Sequence, residues 1–178
     1  PDENGDRLAG VKRLGRDESI LQFAAANVAL ANGIGMMPFR SLRREVHEKF
    51  SNKGYRFERI IHPSAVVGSD VALEDGVQVM AGVVIQPGTC VGKNSIINTS
   101  ASIDHDCIIG AHVHIAPGAT LCGHVQIGEN ADARLDVYQP VRLLPGRPRA
   151  KVAPSDGPQA RTARAATQPR ALSVAAAL

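Results

Sequence analysis

The sequence predicts a mainly β protein: a left-handed parallel β-helix of hexapeptide repeats, preceded by a partial α/β domain of the doubly wound, Rossmann-like kind. Three observations carry this. An aliphatic residue recurs at every sixth position through twelve consecutive hexads: Ile61, Val67, Leu73, Val79, Ile85, Val91, Ile97, Ile103, Ile109, Ile115, Leu121 and Ile127. Four residues after each stands a small or β-branched one: Ala65, Val71, Val77, Val83, Thr89, Ser95, Ala101, Cys107, Val113, Ala119, Val125 and Ala131. Period six fits neither the 3.6 of a helix nor the 2 of an alternating strand, and a short fixed repeat marks a solenoid in which three hexads close one triangular coil. Upstream of the repeat the pattern changes to helix, strand, helix.

The elements follow in order. "RDESILQFAAAN" reads as a short helix, and "VALANG" as a buried strand ending at Gly33. "PFRSLRREVHEKFSNKG" reads as a second helix, with Pro38 near its start, Gly54 at its end and an apolar stripe of Phe39, Leu42, Val46 and Phe50. "YRFERII" leads into the repeat. No strand with a glycine-rich turn comes earlier, so the phosphate-holding half of a doubly wound unit is missing from this chain; "NGIG" alone is a weak motif. Twelve hexads give four coils at the strand spacing of about 4.8 Å, a prism about 19 Å tall. Residues eighteen apart then stack in register. Gly68, Gly92, Gly110 and Gly128, directly after an aliphatic, are expected to supply corner turns with unusual φ. The left hand of this repeat class is an exception to the usual crossover preference.

The repeat stops at Ala133. The remaining residues show no hexad and no amphipathic period, and hold six of the eleven prolines, a composition of linker or disorder. The expected organisation is therefore a partial α/β domain at 1–60, a β-helix at 61–132 and a non-repeat tail at 133–178. An uncapped β-helix end exposes backbone and apolar surface, so an altered or out-of-frame C-terminus is expected.

Composition narrows the function classes. At 178 residues with 3% aromatics and no Trp, small aliphatics must fill the core. No secretory leader and no apolar run long enough to span a bilayer are seen. Cys90, Cys107 and Cys122 are odd in number and lack CxxC spacing, which fits a reducing cytoplasm. The pI near 9 belongs to the tail: from Ala133 onward eight basic residues face two acidic ones, while the preceding 132 residues carry a net −3. A nucleic-acid binder would carry a basic face with stacking aromatics instead, so no nucleic-acid partner is expected.

The chemistry concentrates in "SIDHDCIIGAHVH", residues 102–114. His105 follows inward Ile103 by two and so stands outside, at a corner or a subunit seam. It reads either as a solvated turn histidine or as a general base, since imidazole titrates near neutrality and a neighbouring carboxylate can hold its other nitrogen. Cys107 occupies an inward position and reads as core. His114 closes its hexad, facing outward at a corner. Nine residues is half a coil, so His105 and His114 lie on different sides of one triangle and can meet only between subunits. His112 and His124 read as solvated, and His62 as a cap on the first coil.

With these hexads, "IIHPSAVVG", "VALANGIG" and "NTSASIDHDCIIGAHVHIAPGATLCGHVQIG", the chain resembles the sugar O/N-acetyltransferases. These include sialic acid O-acetyltransferases and the bacillosamine-pathway enzymes acting on UDP-4-amino-sugars. The resemblance covers about residues 1 to 131. It implies a Rossmann-like domain for the sugar nucleotide and a trimeric left-handed β-helix for acetyl-CoA. It implies His105 as the general base, Asp106 as the acid that raises its basicity, His114 as a contact to the thioester region of acetyl-CoA, and Gly33 as a strand-end contact to the sugar nucleotide. Three departures stand out: the N-terminal glycine-rich turn is absent, Asp106 replaces the Glu of bacillosamine-type members, and the later coils are replaced by the tail.

The expected function is transfer of acetyl from acetyl-CoA to an amine or hydroxyl of a sugar or UDP-sugar, in a cytoplasmic homotrimer of bacterial glycan biosynthesis. No metal and no membrane span are expected, and this chain is expected to be truncated and weakly active. Two alternatives stay open: a truncated, non-catalytic β-helix trimer, and a γ-type carbonic anhydrase with zinc on His105, His112 and His114.

Overall fold

In the computed structural model, residues 14–36 and 41–131 are described, together with the backbone of three short strands near the two ends. The first two, Arg7–Leu8 (β1) and Val11–Lys12 (β2), pair antiparallel. The expected first helix is instead two 3-10 turns, Asp17–Gln22 and Ala25–Asn27. Only Ile20 is buried in them, too little apolar face to hold an α-helix against solvent. "VALANG" does form a buried strand, Ala29–Asn32 (β3), ending directly before Gly33.

The second helix, Leu42–Ser51 (α1), is closed by Gly54 at φ +84°, a conformation that favours glycine. Its buried face differs from the expected stripe. Leu42 is 39% exposed, Phe39 and Pro38 lie outside the described residues, and the buried positions are Arg43, His47 and Phe50. The reason is that α1 packs two ways. Phe50, with Val46 beside it, meets the apolar cluster of Ile20, Val28, Leu30, Tyr55 and Phe57. Arg43 and His47 turn toward a polar corner of the prism. Arg56–Phe57 (β4) pairs in parallel with β3.

The repeat forms the expected parallel solenoid of about four turns. Its twelve two-residue strands are Ile60–Ile61 (β5), Val66–Val67 (β6), Ala72–Leu73 (β7), Gln78–Val79 (β8), Val84–Ile85 (β9), Cys90–Val91 (β10), Ile96–Ile97 (β11), Ser102–Ile103 (β12), Ile108–Ile109 (β13), His114–Ile115 (β14), Thr120–Leu121 (β15) and Gln126–Ile127 (β16). They stack into three parallel faces: β5-β8-β11-β14, β6-β9-β12-β15 and β7-β10-β13-β16. Partners are eighteen residues apart, as with Ile97 beside Ile115 and Ile103 beside Leu121.

Inside, the predicted aliphatics from Val79 to Leu121 are buried, as are their small partners Val77, Val83, Ala101, Cys107, Val113 and Ala119. Ile61 is 46% exposed because no coil lies beneath the first. Two inward positions are polar. Thr89 and Ser95 hold their hydroxyls on Asp104 O and Gly110 O (3.1 and 3.0 Å), and each also accepts a backbone N–H from the next coil. A buried hydroxyl paired in this way is tolerated.

The glycine expectation needs correction. Gly68, Gly92, Gly110 and Gly128 do not have positive φ; the left-handed residues come three after each aliphatic: Gly76, Gly82, Gly88, Asn94, Ser100, Asp106, His112, Gly118, His124 and Asn130. Six of these ten are not glycine, and five of the six are Asn, Asp or His, the types best tolerated there. Gly92 and Gly110 serve close approach instead. A methyl at Gly92 would sit 2.6 Å from Ala111 N, and one at Gly110 2.6 Å from Glu129 N.

The tail expected at 133–178 lies outside the described residues apart from one strand. Ala171–Val174 (β17) pairs in parallel with β3 to give a three-stranded sheet in the order β17-β3-β4. Composition could not show this, because an open strand edge recruits a neighbour through backbone groups, whatever the side-chain period.

Candidate active site

His105 and Asp106 form the two-residue turn between β12 and β13, at the corner joining the second and third faces. The turn is pinned at both sides: Asp104 Oδ1 accepts the His105 N–H (2.8 Å), and Pro87 O accepts that of Asp106 (3.0 Å). Asp106 sits at φ +58°, which swings its carboxylate back over the preceding ring. His105 Nδ1 lies 2.9 Å from Asp106 Oδ2, with both side chains about half exposed. That hydrogen bond, ahead of the charge of Asp104, raises the His105 pKa above the usual imidazole value, and it holds the Asp106 carboxyl below its own. The outward corner placement of His105 is as the hexad numbering indicated.

The neighbouring coils shape the space around this pair. Eighteen residues before Asp106, Gly88 leaves room for the carboxylate; a methyl there would fall 2.4 Å from Asp106 Oδ1. Eighteen after His105, Gly123 leaves room for the ring; a methyl there would fall 2.8 Å from His105 Nε2. Nε2, the nitrogen not engaged by Asp106, thus faces space kept open by a missing side chain. Beside it stands His124, whose ring lies 5.0 Å from that of His105, edge-on, with Nε2 3.8 Å from Asp106 Oδ2.

His114 is not at a corner, contrary to the sequence reading. It lies within β14 on the first face, half-buried, with Nε2 3.0 Å from Asn98 Nδ2. The first face is opposite the His105 corner, so the two histidines do lie on different sides of one triangle. Asn98 opens the "NTSASIDHDC" stretch, and this stretch therefore supplies both the His105 pair and a partner for His114.

An imidazole with a free nitrogen, oriented by a carboxylate at an open corner, can accept a proton from an amine or hydroxyl. Similar proteins do chemistry of that kind. No protein-family model matches the chain. The acetyltransferase domain of PglB from Neisseria gonorrhoeae FA1090, in complex with acetyl coenzyme A, superposes with a TM-score of 0.62 at 30% identity, covering 72% of this chain and 62% of that one. GDP-perosamine N-acetyltransferase of Escherichia coli O157:H7 is 33% identical over 105 residues, 59% of this chain and 44% of that protein. The chain is similar to these sugar acetyltransferases, and its solenoid is consistent with their hexapeptide-repeat kind. It also matches acyl-[acyl-carrier-protein]--UDP-N-acetylglucosamine O-acyltransferase of Campylobacter concisus (strain 13826), 26% identical over 130 residues, 72% of this chain and 41% of that protein. The chain spans less than half the length of these curated relatives.

The other sequence candidates lie elsewhere in the fold. Gly33 is exposed directly after β3. The residue before it is clamped: Asn32 O accepts from Gln78 Nε2 (2.7 Å) and Arg43 Nη1 (2.9 Å), and Asn32 Nδ2 donates to Arg43 O (2.9 Å). Arg43 Nη1 also reaches Ile34 O (2.6 Å), so one buried guanidinium spans the Gly33 turn. Burial brings its pKa down to about 10, and Nη2 has no hydrogen-bond partner among the described residues.

His112 is not solvated. It is buried at the corner of the third and first faces, with Nδ1 2.9 Å from Asn94 Nδ2, because α1 covers that corner. Within one chain His105, His112 and His114 stand at three separate places, so the trio weighed for zinc is not assembled there. His124 is exposed as expected, though set against His105 and Asp106. His62 fits its capping reading: Nδ1 lies 2.8 Å from Ser64 Oγ and accepts Ser64 N–H (3.1 Å), closing the first corner. Cys107 is fully buried, with burial pushing its thiol pKa up. Gly88, Gly123 and His124 were missed at the level of sequence, although adding or subtracting eighteen from His105 and Asp106 finds all three.

Proposed function

We propose that this chain carries the catalytic β-helix of a sugar acetyltransferase that moves acetyl from acetyl-CoA to an amine or hydroxyl of a nucleotide-linked sugar in bacterial glycan biosynthesis. The observation that carries the reading is the His105–Asp106 pair, with its free Nε2 beneath Gly123, in a fold homologous to an acetyl-CoA-bound acetyltransferase domain. His105 Nε2 accepts the proton as the sugar nitrogen or oxygen attacks the thioester carbonyl. Nδ1–H stays donated to the Asp106 carboxylate, which fixes the ring and stabilises the imidazolium. The thioester is already activated, so no acyl-enzyme on Cys107 is needed.

The finer parts of the reading follow from the same source. Residues 1–60 act as a partial Rossmann-like sugar-nucleotide unit, with Gly33 against the substrate, and 61–132 as a left-handed acyltransferase β-helix followed by the tail. Three copies associate about the prism axis, so that His114 of one chain meets the thioester beside His105 of the next. The working compartment is the cytoplasm; among the described residues no helix is long and apolar enough to cross a membrane. The test is thiol release from acetyl-CoA with GDP- or UDP-linked amino-sugars, with sialic acid as the hydroxyl acceptor. Acceptor-dependent release in the wild type, lost in His105→Ala, supports the reading. Equal release from both proteins overturns it. Sedimentation of the wild type as a monomer would remove the trimeric part.

A further inference from the structure

We infer that the His105 corner is also a binding site for a divalent transition-metal ion of the zinc class, held by His105, Asp106 and His124. The histidines whose spacing in the sequence invites a metal, His105, His112 and His114, are separated by the fold. The stacking of coils brings a different trio together, since His124 lies one coil above Asp106. One donor atom from each of the three residues falls within 4.8 Å of the other two, the sole such group among the described residues. His105 Nδ1 and Asp106 Oδ2 are 2.9 Å apart, and Asp106 Oδ2 and His124 Nε2 are 3.8 Å apart.

Two imidazoles and one carboxylate are a donor set that suits Zn²⁺, with metal–ligand distances of about 2.0–2.2 Å. Such distances put tetrahedral ligand atoms about 3.4 Å apart. The 3.8 Å edge is close to that already, and the widest edge closes by rotation of half-exposed rings. The backbone under the site is less free. Asp106 and His124 both sit at φ near +60°, and His124 N–H is donated to His105 O (2.9 Å), so the three side chains issue from one fixed stack. The corner leaves coordination positions for water, because Gly123 offers no side chain over His105.

The ion would occupy the place of the proton now shared between Nδ1 and Asp106. A neutral imidazole metallated at Nδ1 carries its hydrogen on Nε2, so the nitrogen needed as base is no longer free. This second consequence rests on the acetyltransferase reading above; binding itself does not. The site is thus a point at which metal ion and catalysis exclude each other.

The experiment uses the full chain without a histidine tag, stripped of metal. Zinc uptake is followed by equilibrium dialysis, and cobalt uptake by its visible absorption. Wild type is expected to take one ion per chain and to show ligand-field bands with cobalt. His124→Asn tolerates the left-handed backbone and should weaken uptake roughly tenfold or more, as loss of even an outer-shell partner does. His62→Ala, at a distant corner, should leave uptake unchanged. Equal affinity in wild type and His124→Asn, or no saturable uptake by wild type, overturns the site. Saturable uptake that leaves acetyl transfer untouched overturns the exclusion while leaving the site standing. Absence of acetyl transfer in the metal-free wild type, with zinc uptake still weakened in His124→Asn, would count against the acetyltransferase reading alone.

Discussion

Two corners of the prism use the same backbone and reach opposite chemistry. At the corner of the second and third faces, Gly88, Asp106 and His124 stack at left-handed turn positions eighteen apart; at the corner of the third and first faces, Gly76, Asn94, His112 and Asn130 do the same. The first corner is open, so His105 beside it keeps water and a carboxylate, and its pKa rises. The second is covered by α1, which lays Arg43 against Asn94, His47 against His112 and Arg44 Nη1 on Asn130 Oδ1 (3.0 Å). There burial dominates. It pushes the His47 pKa down to about 4 and lowers that of His112. The coil decides where a histidine points, and the covering element decides whether it can be charged.

The sharpest way to break this contrast is a pair of substitutions. His105→Ala should lose about two to four decades of acetyl transfer, the range for a positioned base, with its thermal transition little changed. His112→Ala should do the reverse, keeping turnover per folded molecule and lowering stability by about 1–3 kcal/mol, since Asn94 loses a buried partner. Thiol-release kinetics beside denaturant unfolding would separate the two. If both variants lose activity alike, the corners are not distinct.

The covered corner should also be where stability is concentrated. Arg43→Leu leaves the carbonyls of Ile34 and Asn94 without this donor and Asn32 O with Gln78 Nε2 alone, and should cost about 3 kcal/mol. Urea unfolding measures this, and a loss under 1 kcal/mol would mean that water replaces the guanidinium. At the open corner, Gly123→Ala should cost a smaller amount and in rate alone. Its methyl meets His105 Nε2 but no backbone. A roughly tenfold or greater fall in turnover is expected, consistent with catalysis needing the ring in place, while the unfolding midpoint stays put.

The smallest expected effect is in pH. A histidine whose folded pKa lies below its unfolded value of about 6.5 binds more protons when unfolded. His47 and His112 therefore contribute stability that is complete above about pH 6.5 and declines as pH falls toward 4. For His47 the loss should be about 1–3 kcal/mol, and His47→Phe should flatten that limb in unfolding curves taken from pH 7 to pH 4. An unchanged slope in His47→Phe would show that the imidazole titrates alike in the folded and unfolded protein.

Much of this was legible because each hexad repeats one local decision. Period six placed every inward residue from Val79 to Leu121, the three faces and the eighteen-residue stack, and the adjacency of His105 and Asp106 placed an imidazole beside a carboxylate. The sequence by itself determined the solenoid and that pair, since both depend on residues a few positions apart. Only the tertiary structure decided the rest. It put α1 on one corner, burying Arg43, His47 and His112, and it set Gly88, Gly123 and His124 around the His105–Asp106 pair. It placed the left-handed turns on Asn, Ser, Asp and His as well as glycine, and added β17 to β3. These outcomes depend on which surfaces meet, and a residue's burial, and with it its charge, is a property of its neighbours in space.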